Sequence, residues 1–161
     1  MSTRTAAFRA FAAVPFAAIL LFGPPSIKVT LVTDRASAPT PGAVLDVTAH
    51  HHDEKVAINI TGKMEGLVDG KRITRPLTVT ATATRGRFGV VPQWELGKPW
   101  VLVLTTGLAD HGSAVAIVKI GSDGKVAGIE SPNALRALGK PLPSDAVESE
   151  VKSALKSLGA K

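Results

Sequence analysis

The 161-residue chain has no cysteine and no tyrosine, and its aromatic content is 4%, made up of five Phe and two Trp. The missing cysteines exclude a disulfide scaffold, a thiolate nucleophile and a lipoprotein attachment site, so the folded part must hold itself together by packing. No Gly-X-Y period and no sustained heptads run through it, which excludes collagen-like and coiled-coil architectures. The 19 Lys and Arg are scattered, and no basic run is interleaved with stacking aromatics, so nucleic acid is not an expected partner.

What is present begins with Arg4 and Arg9 ahead of Ala10 to Phe22, an uncharged run of thirteen residues. Such a run is short of the roughly 20 residues that cross a bilayer and fits a secretory leader; the alternative is an uncleaved amino-terminal anchor. The small-x-small triplet Ala36-Ser37-Ala38 is followed directly by Pro39, which makes a poor cleavage point, and Ile27 to Val32 reads as a strand the fold needs. The expected organisation is therefore a signal peptide over 1–22, a β domain over 23–143 and a carboxyl-terminal helix over 144–161. Loss of 1–22 removes two arginines and no acids, lowering the formal charge from +6 to +4.

Period-two patterning dominates the rest. Ile27, Val29 and Leu31 alternate with polar residues, a strand is expected from Ala43 to about His52, and Lys55 to Thr61 places Val56, Ile58 and Ile60 on one face. Asp69-Gly70 between two strand-like runs predicts a hairpin, because a type I′ turn needs positive φ at both central residues. Leu77, Val79, Ala81 and Ala83 alternate with four threonines and predict a further strand. Arg85-Gly86 turns into Arg87 to Val91, which Pro92 ends. Trp100 to Thr105 lacks polar alternation, so it is expected to be central and buried on both faces. Ser113 to Ile120 and Lys125 to Glu130 complete the set, followed by a proline-rich connection.

At the carboxyl end Val147, Val151, Leu155 and Leu158 recur at helical spacing, with Ser144 as the expected cap, Asp145 at the positive end of the dipole and Gly159 at the exit. Eight or nine evenly spaced strands with no alternating helices predict an all-β fold, two antiparallel sheets packed face to face as a β-sandwich with one amphipathic helix.

The chemistry-bearing residues centre on His50-His51-His52-Asp53-Glu54. An extended strand puts His50 and His52 on one face, about 6.5 to 7 Å apart at the backbone, where their imidazoles can converge on Zn or Cu, with Asp53, Glu54 or His111 as a third ligand. The plainer reading is a solvated strand end with His51 filling part of the core. Met64 offers a thioether to a cuprous ion or simply packs. Trp94 and Trp100 form either a ligand platform or a core plug and an edge cover. Asp110-His111-Gly112-Ser113 holds hydrolase letters, but adjacent residues cannot build a triad among themselves, and no Gly-x-Ser-x-Gly elbow occurs. Asn59-Ile60-Thr61 matches a glycosylation sequon inside an expected strand.

The stretch from Arg87 through Trp94 and Trp100 to Leu104 resembles small exported bacterial Ig-like sandwiches of the YtkA-like and FixH-like kind, and Glu65 to Arg72 looks like their preceding hairpin. The resemblance implies an Ig-like β-sandwich in the periplasm or outside the cell and a non-catalytic binding or accessory role toward an envelope protein or small ligand. CopC-like copper carriers, relatives by fold, bind copper through a histidine near the mature amino terminus. Gly23 to Ser26 has none, so no metal ligand transfers. Copper or zinc held by His50 and His52 stays the alternative function, and no catalytic residue is named.

Overall fold

The computed structural model describes residues 25–51, 58–108, 112–132, 135–137 and 142–159. In chain order these form β1 (Ser26–Leu31), β2 (Leu45–His50), β3 (Ile60–Val68), β4 (Lys71–Leu77), β5 (Thr80–Ala81), β6 (Arg87–Val90), β7 (Trp100–Leu108), β8 (Gly112–Ile120), β9 (Val126–Glu130), β10 (Arg136–Ala137) and α1 (Ser144–Ser157). One antiparallel sheet has the order β1-β2-β6-β5. The other runs β10-β8-β7-β3-β4, and β9 also pairs with β8. Because β7 occupies one edge of β8, β10 and β9 share the other: β10 pairs with Ser113 and Ala114, β9 with Ile117 to Ile120. The larger sheet is therefore five strands wide. No described helix is long and apolar enough to cross a membrane.

Two apolar clusters divide along the alternation of β7 and β8. Trp100, Leu102 and Leu104, with Ala114, Ala116, Val118 and Ile120, join Ile27, Val29, Leu45, Val47, Phe88 and Val90 of the smaller sheet in one buried cluster. Val101, Val103, Val115 and Ile117 point the other way and meet Leu135 and the α1 residues Val151, Ala154 and Leu155. A strand with one face against a sheet and the other against a helix has no polar side to present, which is why β7 reads as an unbroken apolar run. Each fully buried Val or Leu side chain contributes roughly 1.5 to 3 kcal/mol, so Val151 and Leu155 are the main apolar contribution of α1 to this cluster.

Local chemistry accounts for the connections. The β3–β4 hairpin turns at Asp69 (φ 52) and Gly70 (φ 73), the two positive angles a type I′ turn requires. Pro76 lies in β4, which has a neighbour on one side only, consistent with its missing donor. Gly159 leaves α1 at φ 71 with its N–H bonded to the Lys156 carbonyl.

Several expectations are corrected. The threonine-alternating segment is not one strand: Leu77 ends β4 in the larger sheet, and Thr80–Ala81 forms β5 in the smaller one. The chain changes sheets at residues 78–79, where the Gln93 side chain stands in for a neighbouring strand by accepting from the Thr78 N–H at 2.8 Å and donating to its carbonyl at 2.9 Å. The strand expected from Lys55 begins at Ile60 among the described residues and runs unbroken to Val68; Val56 lies outside them. Leu31, expected inside, is 50% exposed at the end of β1. Ser144 does not cap α1: Pro143 is the N-cap residue, without a side-chain bond. The proline-rich connection holds β10 and the buried Leu135.

Candidate functional site

On β3, Lys63, Glu65 and Leu67 share one face, and Met64 and Gly66 the other. Register places Glu65 opposite Thr74 on β4 and Val101 on β7, and Val101 belongs to the cluster under α1. A carboxylate thus enters the face that the helix covers, where it is 1% exposed. Burial of an anion is tolerated only with compensation, and both of its oxygens have it. Lys63 Nζ lies 2.7 Å from Oε1, while Arg72 donates to Oε2 through Nε at 2.7 Å and also through Nη2.

The guanidinium carries the pairing across to the helix. Arg72 donates to Glu148 Oε2 through Nη2 at 2.7 Å and to Oε1 through Nη1, and Lys152, one turn further along α1, lies 3.5 Å from the same carboxylate. Planar five-donor geometry is what allows one arginine to hold two carboxylates. Its bonds to Glu148 hold the Arg72 guanidinium above its ordinary value against desolvation, with Glu65 adding to the effect. In return, Arg72 holds the Glu148 carboxyl below the usual carboxylate value. Beside this chain of charges an open groove of about 480 Å³ is lined by Lys63, Ser144, Asp145, Val147 and Glu148. Lys63 brings an ammonium to it from β3, and α1 brings the carboxylates of Asp145 and Glu148 together with the apolar Val147.

The residues singled out in the sequence have varied fates. Alternation along β2 is as expected: Leu45, Val47 and Ala49 are buried, His50 is exposed and His51 is buried just past the strand end. His52, Asp53, Glu54, Asp110 and His111 lie outside the described residues. Among the described residues no group of three or more His, Asp or Glu is placed to hold a metal ion. Met64 packs in the core between the sheets. Trp100 fills that core and donates from Nε1 to the Glu95 carbonyl at 3.2 Å, with the Arg75 guanidinium 5.4 Å from its ring centroid. Trp94 is buried and donates to the Gly124 carbonyl at 3.0 Å. Neither indole is a free platform. The buried Ser113 accepts from the Leu142 N–H at 3.1 Å, tying down the approach to α1. Asn59 is exposed and precedes β3 rather than lying within a strand.

Glu65, Arg72 and Glu148 were not candidates from the sequence. Part of the signal was there, because an Asp-Gly I′ turn fixes the register and makes Glu65 and Arg72 diagonal neighbours on one face. Glu148, 76 residues further on, is not reachable by that reasoning. Comparison with family models, with curated proteins and with solved structures finds no match.

Proposed function

We propose that this chain is an exported, non-catalytic binding or accessory protein of the bacterial envelope, built as an Ig-like β-sandwich of the kind its sequence resembles. The observation that carries the reading is the groove between α1 and β3, whose volume of about 480 Å³ lies within the roughly 300 to 1,000 Å³ common for small-ligand sites. Its charged walls are fixed in place: Lys63 is set by the buried Glu65, and Glu148 by Arg72. Pairing of this kind favours recognition over proton transfer, since a carboxylate held ionised by a guanidinium is a weak proton donor and a weak base. Two antiparallel sheets sharing one apolar cluster support the sandwich, and the basic, then apolar, amino-terminal segment supports export.

The groove is tested by thermal shift against amino acids, sugars and small carboxylic acids at millimolar concentration, with Val147→Trp as the variant that fills it. Ligand binding raises the melting temperature of the native protein through linkage and leaves the variant unmoved. A panel without any shift, or shifts equal in both proteins, removes the groove as the binding surface.

A further inference from the structure

We infer that the groove between β3 and α1 takes an α-amino acid with an apolar side chain, held as a zwitterion with its carboxylate on Lys63 and its ammonium on Asp145. The inference rests on reading that groove as the ligand site and adds the chemical class of the ligand. It follows from which charges at the groove already neutralise one another and which do not.

The charges around the buried Glu65 form one connected set. Lys63 and Arg72 share Glu65, and Arg72 and Lys152 share Glu148, so three cations are paired with two carboxylates. One positive charge in the set is left over. Of the three cations only Lys63 lines the groove. Its side chain is 44% exposed, and the contact with Glu65 Oε1 at 2.7 Å occupies one of the three donors of an ammonium. The other donors are open to an incoming carboxylate. Because Glu65 already sets the position of that side chain, a ligand has little ordering left to impose on it.

The two carboxylates of the lining differ. Glu148 has both oxygens held, Oε1 by Arg72 Nη1 and by Lys152 at 3.5 Å, and Oε2 by Arg72 Nη2 at 2.7 Å. Asp145, exposed in the first turn of α1, has no hydrogen bond or ion pair among the described residues. An ionised carboxylate only accepts, so the partner it lacks is a donor, and an ammonium supplies both the donors and the opposite charge.

A ligand with a single charge is served at one of these residues and opposed at the other. An anion gains at Lys63 and meets Asp145; a cation gains at Asp145 and meets Lys63. A ligand carrying both signs is served at both, and it is neutral, as is the connected set once Asp145 is counted with it. Val147, half-buried, supplies the apolar part of the lining. An α-amino acid joins both charges to one carbon and leaves its side chain for that surface.

The test is calorimetric titration of the full chain at low ionic strength with three ligands of one carbon skeleton: L-leucine, isocaproate, which lacks the ammonium, and isoamylamine, which lacks the carboxylate. L-leucine is expected to bind about tenfold or more tightly than either, the loss that follows removal of one charge-assisted hydrogen bond. Asp145→Asn is expected to weaken L-leucine by about tenfold without weakening isocaproate, and Val147→Trp to abolish binding of all three. Isocaproate or isoamylamine binding as tightly as L-leucine, with both lost in Val147→Trp, overturns the zwitterion and leaves the groove standing as a ligand site. An affinity for L-leucine unchanged by Asp145→Asn overturns the placement of the ammonium and the inference with it. Binding that survives Val147→Trp puts the ligand elsewhere, and no binding by any of the three, together with no thermal shift from the wider panel, removes the groove itself.

Discussion

Removing one cation from the Lys63, Glu65, Arg72 and Glu148 cluster should cost more than removing the anion it serves. Arg72→Met leaves Glu65 buried at 1% exposure with Lys63 as its one remaining cation, and breaking a buried pair in this direction costs about 3 kcal/mol. Glu65→Gln leaves cations that have other recourse, because the Lys63 side chain is 44% exposed, Arg72 is 28% exposed and Arg72 still holds Glu148. That change loses charge assistance while keeping the shape, at about 1 kcal/mol. The difference of about 2 kcal/mol corresponds to a separation near 1 M in urea midpoint for a domain with a slope of about 2 kcal/mol/M. Urea unfolding followed by the fluorescence of Trp94 and Trp100 measures it. The double variant should cost less than the sum of the single changes, since both report one interaction. Equal midpoints for the two single variants, or strict additivity in the double, would refute the argument that the buried carboxylate is the costly member.

Gly66→Ala places a methyl group 2.8 Å from Trp100 Cε3 and 3.1 Å from the Pro99 carbonyl oxygen, in a core without room to yield. A loss of about 1 to 3 kcal/mol and a shifted tryptophan emission are expected, measured by urea unfolding. Thr106 is fully buried and, among the described residues, its hydroxyl has no hydrogen-bond partner, so Thr106→Val should raise stability by about 1 kcal/mol in the same assay. Arg72 lowers the Glu148 carboxyl, and Arg75 followed by Lys98 lowers that of Glu95. A carboxyl lowered by folding contributes stability above its unfolded value and loses it as pH falls through its folded one. Melting temperature should therefore decline on acidification into and below the usual carboxylate range, and Glu148→Gln should flatten that decline. A native profile that rises toward low pH contradicts the sign.

Where the signal is local, the elements were legible in the sequence. Alternation located β1 and β2, turn-bounded strand-like runs located β6, β8 and β9, the Asp-Gly pair located the hairpin, and helical spacing from Val147 to Leu158 located α1. The apolar run from Trp100 also announced a central strand, because only a strand covered on both faces has no use for polar residues. The threonine-alternating segment misled for an equally physical reason: period two persists when the chain leaves one sheet for another, so alternation cannot register the crossing at 78–79. The histidine pattern set the faces of His50 and His51 correctly, yet gave no indication of the charged cluster on the far side of the larger sheet.

Sequence by itself determined which faces of most strands turn inward and where the chain reverses at the Asp69-Gly70 hairpin. Each of these depends on neighbours within a few positions. Tertiary structure alone decided that β9 and β10 share one edge of β8, that α1 lies over Val101 and Val103, and that Glu65 is thereby sealed in and joined through Arg72 to Glu148. A strand pattern specifies that a side chain has a face but not what will cover it, and burial of a charge is a property of the cover.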